Sequence, residues 1–214
     1  MQKLNAKNIK EIFTKIKEIM DVNKDMLFNL DSKIGDGDIG ISMSKGFLMI
    51  DEELKNFDEP QIGKIFMKAG MVLSEASPST AGTLIADGLI NAGICIQDKS
   101  EIELKDLVLF FSEFINRIII TGKAVSGEKT IVDSLYPAAK ALEVALKRNK
   151  DFRDSFNEAY DAAKKGYQST KEMVAKYGRA KWYGDKSIGV EDPGAAVGML
   201  FIEAFYNYFK NKNN

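Results

Sequence analysis

The sequence predicts an all-α fold, an up-and-down assembly of eight helices that forms one domain over residues 1–214. Apolar residues recur at helical spacing nearly everywhere along the 214-residue chain. The connections between these stretches are short, and no linker, fixed-period repeat or low-complexity segment divides them. Residues 117–121, RIIIT, are locally typical of a strand, but one β-branched run cannot form a sheet.

The first four predicted helices each carry an apolar stripe. The stripe residues of the first helix are Ile9, Ile12, Phe13, Ile16, Ile19 and Met20, and those of the second are Met43, Phe47, Ile50 and Leu54. The third helix opens at residues 58–60, where a proline occupies the first turn, and continues to residue 73. The fourth covers residues 80–96.

Four further helices are predicted over residues 104–119, 131–146 and 152–177, and from Pro193 onward. In an alternating bundle, the connections that follow odd-numbered helices all lie at the same end. Those connections are the glycine-rich stretches at residues 31–42, 77–82, 121–130 and 177–194. A binding site is therefore expected where these loops converge on one rim.

The composition excludes several classes of function. The net charge of −1 gives no basic excess, so a nucleic-acid partner is not indicated. The chain contains no histidine, which excludes a Ser-His-Asp triad, a histidine-rich zinc site and a phosphohistidine intermediate. Any chemistry is left to carboxylates, lysine, arginine, hydroxyls, backbone groups and bound ions.

Three further features bear on cellular location. No run of about 18 apolar residues predicts a membrane span, and the amphipathic N-terminus lacks the apolar core of a signal peptide. The single cysteine, Cys95, cannot form an internal disulfide and is interpreted as a core thiol among apolar neighbours. These features favour a cytoplasmic protein without a membrane partner.

The first glycine-rich loop contains GDGDIG at residues 35–40, the glycine spacing of a dinucleotide-binding turn. That turn requires a preceding strand, whereas an amphipathic helix precedes this loop. An EF-hand would require an oxygen ligand at residue 40 and Glu at residue 47, where the chain has Gly40 and Phe47. Both of these interpretations therefore fail.

Two interpretations of this loop remain, a solvated polar turn and a cation site. Asp31, Asp36 and Asp38 are close in sequence, in a loop that its glycines make flexible. Three carboxylates can converge on a hard cation such as Mg²⁺, which also accepts substrate phosphates. A bound cation would lie between the carboxylates and a phosphate, which the carboxylates alone would repel.

The other loops each have a structural and a functional interpretation. Residues 122–130, GKAVSGEKT, nearly match a P-loop, but the Lys-Thr pair is displaced and no α/β context surrounds it. A turn and helix N-terminus that hold Gly127, Lys129 and Thr130 near an anion remain open. Residues 77–83, SPSTAGT, predict a helix start, with or without an anion at its N–H groups. Trp182 and Tyr183 are either core anchors or parts of a cationic lid over a nucleotide.

Taken together, the loops resemble the ADP-binding L subunit of the phosphotransferase-type dihydroxyacetone kinases and the matching domain of the ATP-dependent kinases. The matching stretches are IGDGDIGISM, STAGTLIADGL, GKAVSGEKTIVDSLYPA and GRAKWYGDKSIGVEDPGAA, in family order. The first and last are specific, and the second is weak. The resemblance implies a barrel of eight antiparallel helices with a nucleotide site at one end.

The resemblance also assigns site residues. Asp31, Asp36 and Asp38 match the carboxylates that ligate two Mg²⁺ ions. The positions that match nucleotide contacts are Ile39, Gly40, Ile41 and Ser42 beside the phosphates, Thr80 and Ala81 at a helix start, Gly122 and Ile131 beside the adenosine, Arg179, and the closing segment Asp192, Pro193 and Gly194. No residue of this chain is expected to carry the phosphoryl group covalently.

The partners follow from the same resemblance. In the phosphotransferase system (PTS) version, ADP or ATP stays bound as a cofactor, and a phosphorylated PTS carrier protein, the M subunit, recharges ADP. The γ-phosphoryl then passes to dihydroxyacetone, which a histidine of a separate K subunit holds covalently. The absence of histidine from this chain fits that division.

The chain departs from the family pattern at a few positions. Ile39 stands where His or Thr is usual and Ser42 where Asn is usual, while Glu128 and Lys186 replace Asp and Arg. The intact carboxylates favour nucleotide binding, whereas transfer efficiency and substrate choice stay open. The alternatives are a regulatory protein that senses the nucleotide and the nucleotide subunit of another split kinase with a different carbonyl or acyl substrate.

Overall fold

The computed structural model describes residues 3–212, and most of this range is helical. The α-helices in it are α1 (Ala6–Val22), α2 (Lys24–Ile34), α3 (Ile39–Lys55), α4 (Ile62–Ala76), α5 (Thr80–Cys95), α6 (Leu104–Gly122), α7 (Val132–Lys147), α8 (Phe152–Ser169) and α9 (Pro193–Asn211). Two 3-10 segments, Thr170–Glu172 and Arg179–Ser187, lie between α8 and α9. The predicted all-α class is confirmed.

A minimal sheet joins the start of the chain to its middle. Strand β1 (Leu4–Asn5) pairs antiparallel with β2 (Glu101–Ile102), so that Leu4 lies opposite Ile102. Because α1 and α6 begin directly after these strands, both helices start at the same end of the molecule. Within residues 3–212, no helix combines the length and the apolar character that a bilayer crossing requires.

Eight of the helices described above contact one another in a closed ring. The order around the ring is α1, α3, α4, α5, α6, α7, α8 and α9, and α9 packs back against α1. Helix α2 is not part of this cycle and packs mainly against α3. A helical barrel requires this order of contacts between neighbouring helices. The alternating direction of the helices stays a prediction.

Phenylalanine side chains fill the middle of the ring. Phe111 of α6 lies 5.1 Å from Phe205 of α9 and 5.8 Å from Phe156 of α8, measured between ring centroids. Phe66 of α4 lies 4.1 Å from Phe110 of α6. Aromatic pairs at such distances add to the stabilisation that burial alone provides. The apolar stripes that predicted the helices therefore form one shared core.

The structure corrects three predicted helix boundaries. The short helix α2 makes nine α-helices in the described range instead of eight, and it places Asp31 in a helix rather than in a loop. The third predicted helix starts at Ile62, after the proline, where the Ile62 N–H donates to the carbonyl of Lys99. The seventh stops at Ser169, where the chain tightens into the 3-10 segment Thr170–Glu172, whose Met173 N–H donates to the carbonyl of Thr170.

Two local predictions are wrong for reasons of packing. Residues 117–121 belong to α6, because the helical face that contains Ile115 and Ile118 is buried in the core. Cys95 is exposed rather than a core thiol. It is the last residue of α5, where the helix ends and its side chain reaches solvent.

Candidate functional site

The four glycine-rich loops line one cavity of about 730 Å³, so their predicted convergence is confirmed. Asp36 represents the first loop in this lining, Ser79 the second, Thr130 the third and Arg179 the fourth. The start of α9 at Pro193 completes the wall. This volume is typical of a small-molecule or cofactor site.

Three carboxylates form a cluster in this cavity. Asp31 is buried near the end of α2, while Asp36 and Asp38 lie in the turn between α2 and α3. One carboxylate oxygen of each residue lies within 4.8 Å of the others. The structure thus brings together the three residues that the sequence predicts as metal ligands.

The turn between α2 and α3 wraps around Asp31. One of its carboxylate oxygens, Oδ2, accepts hydrogen bonds from the backbone N–H of Asp38 at 2.9 Å and of Ile39 at 3.3 Å. A Cβ at Gly35 would lie 1.9 Å from the other oxygen, so glycine is required there. Gly37 adopts φ of +74°, which favours glycine. The glycines therefore allow the backbone to approach a carboxylate closely, which is a role distinct from cradling phosphate.

The charges of this cluster are unbalanced. Burial raises the pKa of Asp38, and the carboxylates of Asp36 and Asp31 raise that pKa further, while Arg179 opposes them. The Arg179 guanidinium lies 2.6 Å from the Asp36 carboxylate and is the cation that the structure places in the cluster. Oxygen ligands with excess negative charge fit a hard divalent cation such as Mg²⁺.

The N-terminus of α5 faces the same cavity. The Ser79 side chain caps this helix by accepting a hydrogen bond from the Gly82 N–H at 3.1 Å. The N–H groups of Thr80 and Ala81, in the first turn, have no intrahelical acceptor, and both residues line the cavity. A helix start of this kind favours anions. Both interpretations of SPSTAGT share this geometry, so an anion at these N–H groups stays a prediction.

Ser42 links the first turn of α3 to the cap of α5. Its hydroxyl lies 2.5 Å from that of Ser77 and donates to that of Ser79 at 2.9 Å. A Cβ at Gly82 would lie 2.1 Å from the Ser77 carbonyl, so the close approach of the first turn of α5 to Ser77 depends on glycine. The carboxylate cluster and the α5 N-terminus are therefore tied together through serine hydroxyls.

Asp133 organises the third loop, and sequence reasoning missed it. This buried carboxylate accepts hydrogen bonds from the N–H groups of Gly127 at 2.5 Å and Thr130 at 2.7 Å. The loop therefore folds around an acid rather than around a phosphate. An acidic residue in the first turn of the helix that follows was the available signal.

Lys129 is also buried, and its ammonium is engaged by protein groups. It donates to the carbonyl of Thr170 at 2.6 Å and to that of Val190 at 2.5 Å. Burial lowers the pKa of this amine, while Asp192 nearby raises it. Lys129 therefore ties the third loop to the residue that follows α8 and to the fourth loop, instead of presenting its charge to an anion as one interpretation expected.

Most of the predicted nucleotide contacts line the cavity. They are Ile39, Thr80, Ala81, Gly122, Ile131, Arg179, Asp192, Pro193 and Gly194. Gly40, Ile41 and Ser42 do not. Gly40 packs against the Lys24 carbonyl, Ile41 points to solvent, and Ser42 contacts serines. The contacts of all these residues with a nucleotide stay predictions.

The fourth loop is held over the cavity at several points. The Tyr177 hydroxyl donates to the Lys123 carbonyl at 2.5 Å, and Lys176 pairs with Glu128 at 3.2 Å. Ala180 packs with Ile34 in a small second core. Trp182, in contrast, is 87% exposed, so its interpretation as a core anchor is wrong.

The chain is similar to known proteins over most of its length. The profile of the DAK2 domain family matches residues 33–207. The chain is 30% identical over 200 residues to the PEP-dependent dihydroxyacetone kinase, ADP-binding subunit DhaL, of Escherichia coli strain K12, covering 94% of this chain and 95% of the relative. It is also 30% identical over 194 residues to the ADP-binding subunit DhaL of the PEP-dependent dihydroxyacetone kinase 2 of Listeria innocua, covering 90% and 89%.

A solved structure shares the fold. The dihydroxyacetone kinase from C. freundii, in complex with AMP-PNP and Mg²⁺, superposes with a TM-score of 0.71 and 22% identity. The match covers 92% of this chain and 33% of that one. The chain therefore spans about a third of that kinase, but nearly the full length of the two bacterial subunits.

Proposed function

Because this chain belongs to the DAK2 domain family, we propose that it is the nucleotide-binding, phosphoryl-transferring subunit of a PTS-dependent dihydroxyacetone kinase. One observation carries this proposal: the carboxylates of Asp31, Asp36 and Asp38 and the N-terminus of α5 meet in one cavity. A cation site beside an anion site is what a metal-bound nucleoside diphosphate requires. The names of the bacterial relatives as ADP-binding subunits support the same choice of ligand.

The carboxylate cluster fits Mg²⁺ in both charge and ligand type. Asp31, Asp36 and Asp38 would hold one or two of these ions, with Asp31 oriented by its two backbone N–H donors. When bound, Mg²⁺ neutralises phosphate charge during phosphoryl transfer. The Arg179 guanidinium lies 2.6 Å from the Asp36 carboxylate. If Mg²⁺ took over that carboxylate, the exposed Arg179 side chain could turn to the transferred phosphoryl group.

The residues of this chain act by positioning and charge. The free N–H groups of Thr80 and Ala81 would bind phosphate oxygens, and the Ser42 link holds them at a set distance from the carboxylates. Such a site needs no covalent intermediate, and the chain contains no histidine to form one of the usual kind. The phosphoryl group would therefore reside on the nucleotide and never on this chain.

The partners of this subunit belong to the same proposal. The relatives that this chain matches over nearly their full length are named as ADP-binding subunits, which supports a separate subunit that holds the ketose. The PEP-dependent relatives support a phosphorylated PTS carrier as the donor. Turnover with the carrier, but not with free ATP alone, would agree with this assignment. Full activity with free ATP would move the chain to the ATP-dependent branch.

Replacement of the metal ligands tests the site directly. Asp36→Ala and Asp38→Ala should each weaken Mg²⁺-dependent ADP binding at least about tenfold while the helices remain, because the excess charge that holds the cation is lost. Isothermal titration calorimetry measures the affinity, and circular dichroism the helix content. Asp98→Ala, an exposed acid that does not line the cavity, is the matched control. ADP affinity like that of the wild type in both cluster variants would contradict the proposal.

A further inference from the structure

Lys129 of the third loop combines two features that are unfavourable for a lysine. Its side chain is only 1% exposed, although an ammonium is costly to remove from water. Its backbone adopts φ of +60°, in the left-handed region that favours glycine. Both features persist in a folded protein only where the surrounding contacts impose them, and such positions often serve a site.

The contacts of the Lys129 ammonium show what its burial achieves. Its Nζ donates to the carbonyl of Thr170 at 2.6 Å, directly after α8, and to that of Val190 at 2.5 Å, shortly before α9. The Gly189 N–H also donates to the Lys171 carbonyl at 2.8 Å. The two ends of the segment between α8 and α9 are therefore held side by side, and one buried ammonium bridges them.

The same bridge fixes the start of α9. The Thr170 hydroxyl accepts a hydrogen bond from the Asp192 N–H at 2.8 Å, and the Asp192 side chain caps α9. Val190, whose carbonyl Lys129 also engages, lies two residues before Asp192. Lys129 therefore reaches the capping residue by two routes. In the other direction along the chain, it lies two residues before Ile131, which lines the same cavity.

We propose that Lys129 is a positioning residue, which holds the third loop and the start of α9 at the spacing that the nucleotide requires. This inference rests on the proposed function, in which Ile131 lies beside the adenosine and residues 192–194 close on the nucleotide. The two backbones lie close together, since a Cβ added to Gly194 would be 3.4 Å from the Ile131 nitrogen. The lysine of this P-loop-like sequence thus acts through backbone carbonyls rather than on a phosphate.

Lys129→Met tests this role, because methionine fills a similar space without a donor. The variant should weaken Mg²⁺-dependent ADP binding and adenosine binding by a similar factor, at least about tenfold, because the two lost hydrogen bonds space the walls beside the adenosine. A lysine that contacted phosphate would weaken ADP binding alone. Displacement of a fluorescent ADP analogue by ADP or by adenosine gives both affinities.

Dissociation kinetics separate positioning from a loss of folding. The ADP dissociation rate should rise at least about tenfold in Lys129→Met, while the association rate changes less than about threefold. A variant that is merely unfolded in part would bind less ADP per mole of protein without releasing it faster. Lys129→Arg keeps the charge and the donors and should recover part of the slow dissociation.

A second variant tests the same bridge without replacing the lysine. Thr170→Val removes the hydroxyl that accepts the Asp192 N–H, so it should also speed ADP dissociation, by a smaller factor. If Lys129→Met is too unstable to isolate, the comparison of Thr170→Val and Lys129→Arg with the wild type decides the proposal.

Lys176→Met is the matched control. Lys176 also joins the third and fourth loops, through Glu128 at 3.2 Å, but its side chain is 61% exposed. Loss of this surface ion pair should leave both rates within about twofold of the wild type. Wild-type dissociation in the Lys129 and Thr170 variants, or a loss confined to ADP, would overturn the proposal while the proposed function stands. Absence of Mg²⁺-dependent ADP binding by the wild type would contradict the proposed function and, with it, this role of Lys129.

Discussion

At the scale of single residues, Asp192 is a buried carboxyl in the cavity wall with conflicting neighbours. Its side chain caps α9 by accepting a hydrogen bond from the Ala195 N–H at 2.6 Å. Burial, assisted by the nearby carboxylates of Asp133 and Asp31, raises the pKa of Asp192 to about 7, although the cap hydrogen bond and Lys129 oppose the rise. This carboxyl of the cavity wall is therefore poorly stabilised in its charged form.

This pKa predicts a pH dependence of stability. Between about pH 4 and pH 7 the native carboxyl is protonated while the unfolded one, with a pKa of 3.8, is charged, so the free energy of unfolding falls as pH rises. Asp192→Asn keeps a capping oxygen but cannot ionise. The variant should gain up to about 4 kcal/mol relative to wild type across this range.

Urea unfolding of the nucleotide-free and metal-free proteins at several pH values measures the difference. The two stability curves should coincide near pH 4 and separate toward pH 7, then stay apart above it. Curves that run parallel over the whole range would show that Asp192 titrates in the native state as it does in the unfolded chain.

At the scale of elements, the start of α5 combines a structural cap with a predicted phosphate contact. Ser79 caps the helix and also accepts the hydroxyl of Ser42, which begins the path to the carboxylate cluster. The Asp151 side chain caps α8 in the same way, by accepting a hydrogen bond from the Asp154 N–H, but does not line the cavity. Because only Ser79 lines the cavity, comparing the two caps separates the effect of a lost cap on folding stability from its effect on ADP binding.

Ser79→Ala and Asp151→Ala should each destabilise the protein by about 1 kcal/mol, because each leaves a helix N–H without its side-chain acceptor. Only Ser79→Ala should also weaken ADP binding, since it loosens the helix start that faces the cavity. Urea unfolding and calorimetric titration give the two quantities. Equal ADP affinities in the two variants would remove Ser79 from the site and leave it a helix cap alone.

At the scale of the whole molecule, the ring of helices brings four loops to one cavity, so a ligand bound there contacts segments from much of the chain. Asp36, Thr80, Ile131 and Asp192 line the cavity from separate parts of the sequence. A ligand that binds only the folded ring shifts the folding equilibrium by mass action. Nucleotide binding should therefore raise the stability of the entire domain rather than of one loop.

A thousandfold excess of ADP over its Kd in the presence of Mg²⁺ should add about 4 kcal/mol. For a domain of this size that is about 8–16 °C in Tm. Excess EDTA should reverse the gain, because the carboxylate cluster then lacks the cation that joins it to phosphate. Differential scanning calorimetry measures both shifts. Nucleotide-free protein with EDTA is the control, and a gain that survives EDTA would argue against a metal-dependent site.

The sequence by itself determined the all-α class and the clustering of Asp31, Asp36 and Asp38. Periodic apolar residues specify which face of each helix is buried, whatever it packs against. Asp31, Asp36 and Asp38 are close along the chain, so a single turn of glycines brings them together. The alternation of helices and loops was also sufficient to predict that the loops share one rim.

Only the tertiary structure decided the contacts between distant segments. The pairing of Arg179 with Asp36, the engagement of Lys129 by Thr170 and Val190, and the ring that closes from α9 to α1 have no local pattern in the sequence. The exposure of Trp182 and Cys95 reversed what their residue types suggested. The physical reason is that local patterns report the backbone preference and the buried face of each segment. The partner of a side chain depends on how all the helices pack around the shared core.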